Sequence, residues 1–231
     1  MKLLSKIALT IALVAGITAA AQAQISYTGT TYTQNANSFL GTSATVPVGW
    51  AYAFTGTSVF NGVGTGTSGT GGAWAYGLLG ENSFGALRSG TPGNITLSVN
   101  FTNSTGSTLT DLVVMFNYEQ WRYANTSGWN LSGTGGLTGV AAVNSADFTG
   151  GAIGVNGTPT SIPINLTLTG LSIPNGATFG FSWLTTDASG SDNGISVDDF
   201  SLSAIPEPSV YMLLGVGLLF CGQRFLRRKR A

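Results

Sequence analysis

The chain contains no histidine, a single cysteine and very few charged residues, which make up 8% of its 231 positions. Each shortage closes a class of chemistry. Without histidine there is no His-based zinc site, no Ser-His-Asp triad and no imidazole general base. Cys221 falls in an apolar stretch near the C-terminus, so residues 24–204 hold no thiol. No disulfide can staple that region, and burial alone must hold its fold.

Basic residues are missing from the middle of the chain. Lys2 and Lys6 lie at the start, and Arg224, Arg227, Arg228, Lys229 and Arg230 at the end. Only Arg88 and Arg122 stand between them, against nine acids within 24–208, so that segment carries a net charge of −7 although the formal sum over the chain is zero. A nucleic-acid partner requires clustered Lys and Arg to displace counterions from phosphate, and the middle of this chain has no such cluster.

The two ends read as targeting segments. At the N-terminus, Lys2 and Lys6 precede an apolar run from 7 to 17, and Ala21 and Ala23 supply the small-x-small pattern that signal peptidase requires, so residues 1–23 are expected to be a cleaved signal peptide. At the C-terminus, 205–231, the step Pro206-Glu207-Pro208 leads into an apolar stretch and then a basic cluster that includes Arg227, Arg228, Lys229 and Arg230. The apolar stretch is at the short end for a bilayer span, which takes roughly 20 residues. Its basic flank is expected to stay cytoplasmic, leaving 24–204 outside and tied to the membrane by a short helix.

What the middle does contain is Gly, Thr, Ser and Asn with regularly placed aliphatic and aromatic residues. In "NITLSVNFT", Ile95, Leu97, Val99 and Phe101 alternate with polar residues, the pattern of a half-buried strand. In "LVVMFNYEQWRY", Leu112, Val114, Phe116 and Tyr118 form one face, and Val113, Met115, Asn117, Glu119, Trp121 and Tyr123 the other. Further strands are expected at "PINLTLTG", "TFGFSW" and "GISVDDFSLSA". In the last, Ile195 and Val197 share a face with Phe200 and Leu202 only if a β-bulge at Asp198 and Asp199 absorbs the odd step, and one is predicted there. The glycine-rich "NGVGTGTSGTGG" at 61–72 is flanked by Phe60, Trp74 and Tyr76 and is expected to be a long loop inside one domain. Many short strands with Gly, Asn and Pro turns point to an all-β, antiparallel, jelly-roll-like sandwich over 24–204.

Two groups of residues are candidate sites. Glu119, Trp121 and Tyr123 alternate onto one strand face with Arg122 beside them, and an aromatic next to a carboxylate is a pattern that stacks on and hydrogen-bonds a sugar. The structural alternative has Arg122 paired with an acid and Trp121 packed under a loop. Asp187, Asp192, Asp198 and Asp199, with Asn193, form a run of hard oxygen donors suited to structural calcium, against the alternative of Asx-type turns leading into a bulged strand. Glu81, Glu119, Asp147 and Asp192 are available carboxylates, but their spacing selects no acid–base pair, and a non-enzymatic protein is expected.

The tail, with Pro206, Glu207 and Pro208 ahead of an apolar segment and "RRKR", resembles the PEP-CTERM sorting signal. That resemblance implies processing by the membrane transpeptidase exosortase in a Gram-negative bacterium that makes extracellular polysaccharide. More loosely, "SFGALRSG", "TNSTGSTL", "YEQWR" and "GSDNGISVDDFSLSA" in that order resemble a jelly-roll-like ectodomain of PEP-CTERM proteins, and "DDFSL" is similar to the last strand of several carbohydrate-binding and adhesion sandwiches. The resemblance implies a surface-sorted or secreted component of the polysaccharide or biofilm matrix, with a carbohydrate-binding module as the alternative.

Overall fold

The computed structural model describes residues 23–78 and 80–205. The signal-peptide expectation at 1–22 and the sorting-tail expectation at 206–231, with its PEP step, helix and basic cluster, lie outside the described residues. Among those residues no helix is long and apolar enough to cross a membrane.

Among the described residues thirteen strands and one short α-helix, with a 3-10 turn at Ser43–Thr45, follow in chain order: β1 (Ile25–Tyr27), β2 (Tyr32–Gln34), β3 (Trp50–Phe54), β4 (Phe60–Gly64), β5 (Gly72–Leu78), β6 (Glu81–Leu87), β7 (Ile95–Asn103), β8 (Leu112–Arg122), β9 (Gly128–Gly135), α1 (Ala141–Asn144), β10 (Phe148–Thr149), β11 (Thr160–Leu168), β12 (Thr178–Thr185) and β13 (Gly194–Ala204). They build two sheets packed as a sandwich. One runs β1-β7-β12-β9-β10 with β3 also on β7, and the other β11-β8-β13-β6-β5-β4 with β2 on β13. Pairing is antiparallel except for β1 with β7 and β4 with β5.

Alternation explains which faces meet. Ile95, Leu97, Val99 and Phe101 of β7 and Phe179, Phe181 and Trp183 of β12 are buried against Leu112, Val114, Phe116 and Tyr118 of β8. Trp50 joins the two sheets, stacking on Phe84 at 4.4 Å and on Trp183 at 5.9 Å between centroids. Burying side chains of this size contributes on the order of 2 kcal/mol each, the dominant favourable term in a fold without covalent links.

The bulge is where the odd step demanded it. The register between β13 and β8 shifts between Asp198 and Ser201, and Asp199 takes φ 51°, a left-handed conformation rare outside glycine. Ile195, Val197, Phe200 and Leu202 are all buried as a result.

The glycine-rich segment is more than a loop. Its first residues form β4, and the remainder crosses the outer face of the second sheet. There, Trp74, Tyr76, Leu87 and Trp121 form a second, smaller core. The absence of side chains makes this approach possible: a Cβ on Gly64 would sit 2.7 Å from the Trp74 ring, and one on Gly66 2.3 Å from the Trp121 carbonyl oxygen. Asn61 donates to the Gly71 carbonyl at 3.1 Å and the Trp74 indole to the Thr70 carbonyl at 2.9 Å, pinning the segment at its ends.

Candidate functional site

The four residues singled out around Trp121 do not share one open surface. Trp121 is 4% exposed. Its ring stacks on Tyr76 at 6.0 Å and 20°, and Tyr76 in turn on Trp74 at 5.9 Å and 7°. The indole N–H donates to Glu119 Oε2 at 2.9 Å, and the Ser196 hydroxyl lies 3.3 Å from the same oxygen. Tyr123 lies past the end of β8, where Gly154 packs against its ring and its main-chain N–H donates to Asn156 Oδ1 at 2.8 Å. The expectation of a sugar-stacking platform is therefore corrected: Trp121 is buried, with its ring on Tyr76 and Gly66 of the covering segment against its main chain.

The acidic run is likewise divided. Among the described residues no group of three or more acidic side chains could hold a metal ion, so the expectation of calcium at Asp187, Asp192, Asp198 and Asp199 is corrected too. Asp198 and Asp199 belong to the bulge. Asp198 Oδ1 accepts the Asp199 main-chain N–H at 2.8 Å, and Asn117 donates to Asp199 Oδ2 at 3.1 Å. Burial raises the Asp198 carboxyl to about 8, against the Asp199 N–H that favours its ionised form, and the neighbouring carboxylates Asp199, Glu119 and Glu81 push in the same direction as burial.

Asp187 and Asp192 instead face Arg88. The Arg88 guanidinium pairs with Asp187 through Nη1, which also lies 4.0 Å from Asp192 Oδ2, while Nε donates to Asn94 Oδ1 at 2.8 Å. Asp192 Oδ1 accepts the Ala188 N–H at 2.9 Å; burial raises its pKa. Asn193, next along, is committed to main-chain groups. Its side-chain oxygen accepts the N–H groups of Ala124 and Asn125, at 2.7 and 3.2 Å, and its amide donates to the carbonyls of Asn125 and Ser127. Both ends of the side chain are spent on joining the 124–127 turn to the start of β13.

The most concentrated chemistry lies at this end of the sandwich. A cavity of about 190 Å³ is lined by both arginines of the middle of the chain, Arg88 and Arg122, together with Asp192, Ser89 and Ser191 and a rim rich in glycine. Arg122 has no ion pair among the described residues, and its Nε is buried without a hydrogen-bond partner. Its guanidinium rests on Gly69, where a Cβ would lie 3.3 Å from Nη2. Sequence reasoning had set Arg122 beside an aromatic face. It could not bring residues 69, 88, 122 and 192 together, because three separate loops and a strand end supply them.

No protein-family model matches this chain, and no curated protein matches it. Among solved structures it is similar to a cleaved adhesin domain of Lys-gingipain from Porphyromonas gingivalis, at 12% identity over 77% of this chain and 100% of that one, with a TM-score of 0.43. A second cleaved adhesin domain of Lys-gingipain matches at 16% identity over 76% of this chain and 98% of its own, with a TM-score of 0.41. TmCBM61 in complex with beta-1,4-galactotriose matches at 9% identity, over 68% of this chain and 88% of that one, with a TM-score of 0.36.

Proposed function

We propose that this chain is an exported, non-enzymatic β-sandwich protein of the cell surface or the extracellular polysaccharide matrix, processed at its C-terminus by exosortase. The observation that carries this reading is the pairing of a signal-peptide pattern ending at Ala23 with the Pro206-Glu207-Pro208 step, apolar stretch and basic cluster at the other end, on either side of a disulfide-free acidic sandwich. Signal peptidase would remove 1–23, the short C-terminal helix would hold the domain at the membrane, and cleavage near the PEP step would release it or attach it outside.

Intact-mass measurement of the native secreted form tests the route. The expected mass corresponds to roughly residues 24–208, with any addition at the new C-terminus marking what the protein is joined to. A secreted or membrane form that keeps 209–231 would reduce the tail to a plain anchor.

A second reading, contact with carbohydrate, is favoured by the arginine-lined cavity. Its hydroxyls, guanidinium groups and glycine rim match the polar groups of a saccharide, and only Leu87 contributes an apolar side chain to its wall. Retention of the full chain on the host's own exopolysaccharide tests it; passage through that matrix without delay would reject it.

A further inference from the structure

We propose that the cavity between Arg88 and Arg122 is a binding site for the carboxylate of an acidic saccharide, with Arg122 as its principal cation. This deepens the carbohydrate-contact reading and rests on it.

The charge arrangement is the first argument. The middle of the chain has nine acids and two arginines, so every arginine could have been neutralised. Arg88 is, by Asp187 and by the nearby Asp192. Arg122 is not, although burying guanidinium nitrogen without a partner is costly. With Arg88 offset by Asp187 and Asp192, the Arg122 guanidinium is the charge at this cavity wall left to attract a single anionic group.

The second argument is how firmly Arg122 is held. It ends β8 directly after Trp121, whose ring stacks on Tyr76. The Tyr76 hydroxyl is buried without a hydrogen-bond partner, beside Gly194 and below the Arg122 stem. With Gly69 against the guanidinium plane, the fork is presented in a fixed orientation, which is what two-point recognition of a carboxylate requires.

The lining then selects among carboxylates. Ser89 and Ser191 offer hydroxyls, and Gly90 and Gly190 leave open space at the rim, where an added Cβ would meet nothing within 4 Å. Leu87 is the one apolar side chain in the lining, which gives a peptide side chain little to bury against. The volume, about 190 Å³, accommodates the charged edge of one sugar ring and leaves the rest of the chain outside.

Calorimetric titration of the secreted protein with an oligogalacturonate, at low and at moderate salt, tests the inference, with a neutral galactose oligomer, sodium acetate, inorganic phosphate and a short peptide with a free C-terminus as the other arms. The acidic oligosaccharide is expected to bind at least tenfold more tightly than any of them. Arg122→Gln should reduce that affinity at least tenfold, with Arg122→Lys in between. Gly90→Asp, which adds a carboxylate in open space at a position without positive φ, should do the same while leaving the melting temperature unchanged. It keeps the test decisive should the arginine variants unfold.

Equal binding of phosphate would make this a general anion site, and preference for the peptide would make it a C-terminus receptor. Either overturns the proposal. Saccharide binding that ignores both Arg122→Gln and Gly90→Asp would overturn the site while leaving carbohydrate contact standing. Absence of binding to acidic and neutral saccharides alike would remove both.

Discussion

The indole N–H of Trp121 donates to the carboxylate of Glu119, two residues earlier on the same strand, at 2.9 Å. The two groups that would have gripped a sugar ring and its hydroxyls are occupied with each other. Ser196 adds to the same oxygen, and the Ser83 hydroxyl lies 2.7 Å from that of Ser196. The network closes the polar edge of the smaller core.

Trp121 should therefore report on stability. Trp121→Ala is expected to cost about 3–5 kcal/mol, as large aromatic truncations in packed cores do. Trp121→Phe keeps a stacking ring but removes the donor to Glu119, and about 1–3 kcal/mol is expected. Denaturant unfolding measures both. An Ala variant with native stability that no longer binds polysaccharide would restore the surface-platform role.

Gly66 holds φ +80°, and a Cβ added there would lie 2.3 Å from the Trp121 carbonyl oxygen. Gly66→Ala combines an unfavourable backbone conformation with a main-chain clash, and a loss of about 1–3 kcal/mol is expected, with tryptophan emission shifted to the red as the covering segment lifts. Gly90→Ala, in open space at the cavity rim, is the control and should stay within about 0.5 kcal/mol of the parent.

The Asp198 carboxyl gives the fold a pH dependence of defined sign. In the folded chain it keeps its proton up to about pH 8, whereas in the unfolded chain it ionises near 3.8. Between those values the native state binds more protons, so this group's contribution is complete below 3.8 and is lost as the pH rises towards 8 and beyond. The melting temperature should fall from pH 5 to pH 9, and Asp198→Asn should flatten the slope. A steeper fall in the Asn variant would contradict the assignment.

Asn193 is the side chain whose chemistry is most fully used. Asn193→Ala leaves two main-chain N–H groups and two carbonyls of the 124–127 turn to find other partners, and about 2–3 kcal/mol is expected to be lost. Asn193→Asp should cost more, because it replaces the donor to the Asn125 and Ser127 carbonyls with an acceptor. Equal stability of the two variants would show that the amide end contributes nothing.

The strands that were legible in sequence are those with one dry face and one wet one. β7, β11 and β12 show strict or near-strict alternation, and even the β13 bulge was readable, because Val197 and Phe200 could not otherwise share a face. β5 was harder. Trp74 and Tyr76 are buried on one side and Ala73 and Ala75 on the other, so no polar residue marks a solvent side. Its second cover is the segment that composition alone assigns to a loop. The acidic run misled for a related reason: Asp187 and Asp192 lie in a turn facing Arg88, whereas Asp198 and Asp199 sit farther along a strand, at the bulge. Proximity along the chain is not proximity in space once an extended strand intervenes.

The small residues between 64 and 72 pack against the Trp74 ring and the Trp121 main chain, at two ends of a row of three stacked aromatics. A protease cut there would sever no strand of either sheet, yet it would loosen the cover over Trp74 and Trp121. An intact polar stretch at 65–71 is thus what keeps this second aromatic core out of water.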